Sequence, residues 1–135
     1  MLRSLGGLMA LALGVLMTTA PALSSQTTTP PEPVRHIVVF KYKAGASEEQ
    51  VREVTKAFVA LQTKIPGIVS LEHGVNNSPE KHNQGFTHVY QVTFTNAAAR
   101  DAYLPHPAHK AFGELLARLG VLESVFVVDY APVHD

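Results

Sequence analysis

The 135-residue chain contains no cysteine and no tryptophan, and its 11 Lys and Arg balance its 11 Asp and Glu. Without cysteine there is no disulfide framework, no thiolate nucleophile and no thiolate metal site. A formal net charge of zero argues against nucleic acid as a partner, because neutralising phosphates takes a basic excess. It argues equally against a polybasic membrane-surface protein. The glycine-rich phosphate loop, the G-x-S-x-G nucleophile turn and the paired-carboxylate motif are missing too. Kinase, dinucleotide and hydrolase chemistry are therefore poor fits.

The longest uncharged apolar run is LGGLMALALGVLM, residues 5–17. Its 13 residues fall short of the roughly 20 that a membrane-spanning helix needs. Arg3 precedes it and the small residues of TTAPALSS follow. That order is the order of a secretory signal. We expect residues 1–24 to form a signal peptide cleaved after Ser24, leaving an exported, periplasmic or secreted protein with no stable membrane anchor. Residues 25–33, SQTTTPPEP, are too polar and proline-rich to pack and are expected to form a disordered leader. The folded domain is then 34–133, about 100 residues, with a modest core.

Within it, VRHIVVFKYK (34–43) alternates as a strand, with His36, Val38 and Phe40 on one face and Ile37 and Val39 on the other. Its middle is apolar on both faces, so both should be covered. Ser47 and Gln50 have the spacing of a capping box, and Glu48 and Glu49 suit a first helical turn. Val51, Val54, Phe58, Leu61 and Ile65 continue at helical spacing until Pro66-Gly67. Strands are predicted over 68–75, 86–94 and 125–130, with a polar loop at 76–85 and one or two helical turns over 96–103. A second long helix follows Pro107 and stops at Gly120.

The order β-α-β-β-α-β is the split βαβ pattern of an α+β, ferredoxin-like subunit. It predicts a four-stranded antiparallel sheet with helices on one face. A chain this short has no second helical layer, so the other apolar face calls for a second copy and a homodimer. The shared core would then hold Val38 and Val92 or their alternate-face neighbours.

Four polar side chains stand out. His109 lies in the first turn of the second long helix, where the dipole disfavours imidazolium and leaves a base able to take a proton near neutral pH. Tyr103, six residues earlier, could donate to a developing oxyanion. His36 and His88 stand mid-strand among apolar neighbours. The plainer alternatives are that His106 caps the helix, that His109 fills space with one hydrogen bond, and that His36 and His88 are bonded core histidines. No cysteine or carboxylate cluster accompanies the histidines, so no metal and no cofactor is assigned. His73, His82 and His134 read as surface residues.

The segments HIVVFKYK, PGI, NNSPE, GFTHVYQVTF, DAYLPHPAH and VFVVDY together resemble the stress-responsive α/β-barrel (Dabb) family over about residues 34–132. The HPAH element after a tyrosine is the most distinctive of them. The resemblance implies dimeric α+β barrels of ferredoxin-like subunits. It also implies, by analogy with a plant polyketide cyclase of the family, a cofactor-free intramolecular aldol condensation. In that enzyme the functional positions correspond to Tyr103, His109, His36 and His88. One departure is His73, where the family often has an aromatic residue before the glycine of the second strand. Two function classes stay open: a dimer that binds a small hydrophobic or carbonyl-bearing molecule and acts as an aldol-type cyclase with a His base and Tyr donor, or a non-catalytic stress-associated dimer.

Overall fold

The computed structural model describes residues 31–134. The expected signal peptide and most of the leader lie outside these residues. Eight elements follow in order: β1 (Val34–Tyr42), α1 (Glu48–Val59), α2 (Leu61–Lys64), β2 (Ile68–Val75), β3 (His88–Phe94), α3 (Ala97–Tyr103), α4 (Pro107–Leu119) and β4 (Leu122–Tyr130). The four strands make one antiparallel sheet in the order β2-β3-β1-β4. This is the ferredoxin-like arrangement.

Local chemistry sets the boundaries. The Ser47 hydroxyl accepts from the Gln50 amide at 3.2 Å and the Gln50 side chain accepts from the Ser47 amide at 3.0 Å. Both halves of the capping box are therefore made, a device worth about 1 kcal/mol. The helical pattern read through Ile65 breaks at Ala60, so that two helices occupy its length. The third strand starts two residues later than the alternation predicts. Asn83 holds Phe86 by both its backbone and its side chain (2.8 and 2.9 Å), which curls that residue out of the ladder. Gly67 adopts φ +90°, and a Cβ there would meet the Ala99 side chain at 2.7 Å. Gly120 ends α4 in the left-handed conformation at φ 60°.

The helices cover one face only. Val38, Phe40, Tyr90, Val92 and Phe94 point beneath them and pack with Val54, Phe58, Leu61 and Tyr103. The opposite face carries Ile37, Val39, Val89, Phe126, Val128 and Tyr130 by strand parity. Of the two alternatives left open for a shared core, the register places the alternate-face neighbours of Val38 and Val92 on the uncovered side. Among the described residues no helix is long and apolar enough to cross a membrane.

Candidate functional site

Tyr103 ends α3, and the chain turns through Leu104-Pro105-His106 before α4 begins. His106 is the N-cap: its Nδ1 accepts from the Ala108 amide at 3.1 Å. This is the helix-capping alternative for that residue. Three residues on, His109 Nδ1 lies 3.0 Å from the Leu104 carbonyl oxygen. A carbonyl only accepts, so Nδ1 carries the proton and Nε2 of the neutral ring keeps its lone pair. That is the tautomer a general base requires.

The Tyr103 ring lies between two imidazoles, 4.3 Å from His109 and 5.7 Å from His36 by ring centroids. Tyr103 is only 1% exposed, and burial pushes its hydroxyl well above the ordinary tyrosine range. It stays protonated at neutral pH and is able to donate a hydrogen bond.

His36 is held from behind. Its Nδ1 lies 2.6 Å from Asp129 Oδ1 on β4, and Arg100 of α3 donates to the other carboxylate oxygen. Arg100 also meets Asp101 at 2.7 Å. Burial alone would raise the Asp129 pKa, but the hydrogen bonds from Arg100 and His36 outweigh it and hold the carboxyl below its usual value. An ionised carboxylate accepts only, so His36 Nδ1 donates and its Nε2 faces away from Asp129. Neither Asp129 nor Arg100 stood out in the sequence, though VVDY placed Asp129 on a strand.

His36, Tyr103 and His109 line one cavity of about 250 Å³ between the sheet and α3–α4. Its walls are apolar: Val38, Phe40, Phe58, Phe112, Leu116, Val125 and Val127. For scale, a dry cavity of about 150 Å³ takes benzene. Room for a single ring or short chain, bounded by three convergent polar groups, is the usual form of a small-molecule site.

His88 is elsewhere. It shares the helix-facing side of the sheet, but it pairs with Phe40, whereas His36 pairs with Val92. That separates the two along the strands by four residues, about 13 Å. His88 lines a second cleft with His73, and its ring meets Tyr42 edge-on at 4.9 Å. Burial first, and the nearby His73 second, lower its pKa. His73, read as a surface residue, is exposed but forms one wall of that cleft. Among the described residues no three His, Asp or Glu side chains gather as a metal site.

The family model for the stress responsive A/B barrel domain matches residues 34–132. The chain belongs to this family. It is 31% identical to olivetolic acid cyclase from Cannabis sativa over 99 residues, which is 73% of this chain and 96% of the cyclase. Among solved structures it resembles hydroxynitrile lyase from Passiflora edulis, with 29% identity and a TM-score of 0.70, covering 78% of this chain and 98% of the lyase. It also resembles a dimeric ferredoxin-like protein of unknown function from Jannaschia, with 25% identity and a TM-score of 0.63, covering 74% and 99% of the two chains.

Replacing Asp129 by alanine should lower the unfolding free energy by about 2–3 kcal/mol, the worth of charged hydrogen bonds left without their acceptor. Urea titration at neutral pH measures it, and a loss under about 0.5 kcal/mol would contradict the bracing role. The sign with pH follows from the lowered pKa. This contribution is present above the unfolded carboxyl value and fades as pH falls through the folded one.

Proposed function

We propose that the protein is a cofactor-independent acid–base catalyst acting on a small carbonyl compound, with aldol-type ring closure as its reaction. The observation that carries the reading is the convergence of His36, Tyr103 and His109 on one apolar cavity. His109 Nε2 takes a proton from the carbon next to a carbonyl. The Tyr103 hydroxyl donates a hydrogen bond to the enolate oxygen that results, and then to the alkoxide formed when the enolate carbon attacks a second carbonyl, which takes back the proton held on His109. His36, fixed by Asp129, orients the substrate through its free Nε2. Carbon–carbon bond formation begins with loss of a C–H proton and cleavage with loss of an O–H proton, and both need a base beside an oxygen that bears negative charge. A cyclase and a hydroxynitrile lyase as similar proteins support that class. His88 is no longer needed in this set, since it lines a different cleft.

The test is turnover of a linear poly-β-carbonyl thioester, followed by the absorbance of the ring product. Tyr103→Phe should lower it by on the order of 100-fold, the lower end of the cost of losing one oxyanion donor, while leaving ligand affinity within a few-fold. The non-catalytic reading, a dimer that only binds, expects no turnover in any form and weaker binding in this variant.

We further propose that the chain is exported. The basic start, the short apolar run and the small residues before Ser25 support it. Protein from its native host should begin near Ser25 on N-terminal sequencing. An intact Met1 on soluble cytoplasmic protein would exclude it.

A further inference from the structure

A second cavity is larger than the one with Tyr103 and His109. It is a cleft of about 570 Å³ between α1 and the β2–β3 pair, more than twice the size of the first. The two are separate. Phe58 lines the first and Tyr90 the second, and their rings stack at 4.3 Å to form the wall between them.

The wall chemistry has a sign. Arg52 and Lys56 stand on the α1 side, with His73 and His88 on the strand side, and no carboxylate side chain lines the cleft. Between them lie the apolar side chains of Val51, Val59 and Val75. Val75 is 63% exposed, an unusual state for valine on the helix-facing side of a sheet. The Thr55 and Tyr90 hydroxyls hydrogen-bond each other at 2.6 Å and close the floor. Beside Tyr90, the Tyr42 hydroxyl is buried, and burial first and Tyr90 second push its pKa up. Among the described residues Arg52 pairs only with Glu48 of its own helix, at 3.4 Å, and both side chains are largely exposed. Such a pair is worth little and yields readily to a better-placed anion.

We propose that this cleft is a second ligand site, taking a small amphiphilic carboxylate. Its carboxylate lies between Arg52, Lys56 and the two imidazoles, and its hydrocarbon part lies along the three valines. The location explains why His73 and His88 are brought together across β2 and β3. Two neighbouring imidazoles in an otherwise cationic cleft repel one another when charged, and a bound anion relieves that repulsion. The site is independent of the catalytic reading, because none of its polar groups lines the first cavity.

The experiment is a titration of the protein with hexanoate, with hexan-1-ol as the uncharged probe, read by the ring resonances of all seven histidines. Hexanoate should shift His73 and His88 saturably and leave His36 and His109 in place. Hexan-1-ol should bind at least tenfold more weakly. The variant carrying Arg52→Gln and Lys56→Gln, both on an exposed helix face, should lose at least tenfold in hexanoate affinity. Bound hexanoate should also raise the pH at which His88 titrates, with Arg52, Lys56, His73, Tyr42 and Tyr90 as the ionisable groups around it. Shifts confined to His36 and His109, equal binding of the alcohol, undiminished affinity in the double variant, or no saturable shift would each overturn the proposal.

Discussion

Replacing His109 by alanine should lower turnover of a poly-β-carbonyl substrate by on the order of 100-fold or more, the usual cost of removing a general base. The size rests on two features of the site. The Leu104 carbonyl fixes Nδ1 as the donor at 3.0 Å, so the ring presents the one nitrogen able to take a proton. The Tyr103 ring, 4.3 Å away, fixes its neighbour. A His109→Gln variant separates base from spacer. Its amide can donate to the Leu104 carbonyl but cannot act as a base near neutral pH. It should therefore fold as the parent does and be as inactive as the alanine form. Recovery of more than a tenth of the parent rate in His109→Gln would mean that His109 only fills space. Added imidazole should restore part of the alanine variant's rate, since the vacated volume adjoins an apolar cavity with room for a ring.

The architecture was legible because each of its signals is local. The alternation of VRHIVVFKYK, the Ser47–Gln50 cap and the Pro107 and Gly120 punctuation each depend on a few neighbours in the chain. The face on which each strand histidine lies was legible for the same reason. Position along the strand was not. Parity puts His36 and His88 on one side of the sheet, but only the pairing of β1 with β3 places them four residues apart. Pairing register is a property of two distant segments, and a sequence pattern read strand by strand does not contain it. Asp129 was missed for a related reason. It lies opposite His36 only because β4 adds beside β1, Val127 opposing Val38. Within VFVVDY it is one polar residue near a strand end. Arg100 is further still from notice, since it joins the pair through a third element. His73 looked like solvent-facing polarity, and the cleft it borders exists only when α1 lies across β2 and β3.

Changing Phe126 and Val128 to lysine should dissociate the homodimer that we propose for this chain, raising its dissociation constant by about 1000-fold or more. The reasoning begins with the side of the sheet away from the helices. Phe126, Val128 and Tyr130 are 52%, 44% and 49% exposed there, beside the less exposed Ile37, Val39 and Val89. A continuous apolar surface of this kind is uncommon on a monomer, and β4 is also an edge strand with an unpaired side. A second copy covers both liabilities at once, and a solved protein similar to this one is described as dimeric. Burying Phe126 and Val128 is worth about 1.5–3 kcal/mol each. Four ammonium groups in their place, two from each copy, must also be desolvated, so a loss of at least about 4 kcal/mol, or 1000-fold, follows. Sedimentation at about 10 µM should give a dimer for the parent, and a concentration series should place the variant's dissociation constant about 1000-fold above the parent's. A parent that sediments as a monomer there would overturn the assembly. The change should reach the cavity lined by Tyr103 and His109 as well. Val125 and Val127, on the other face of the same strand, are 46% and 51% exposed and form part of its wall, and Asp129 braces His36 from the strand's end. A β4 that has lost its partner holds all three less firmly, so the monomeric variant should lose turnover although neither substitution touches the cavity.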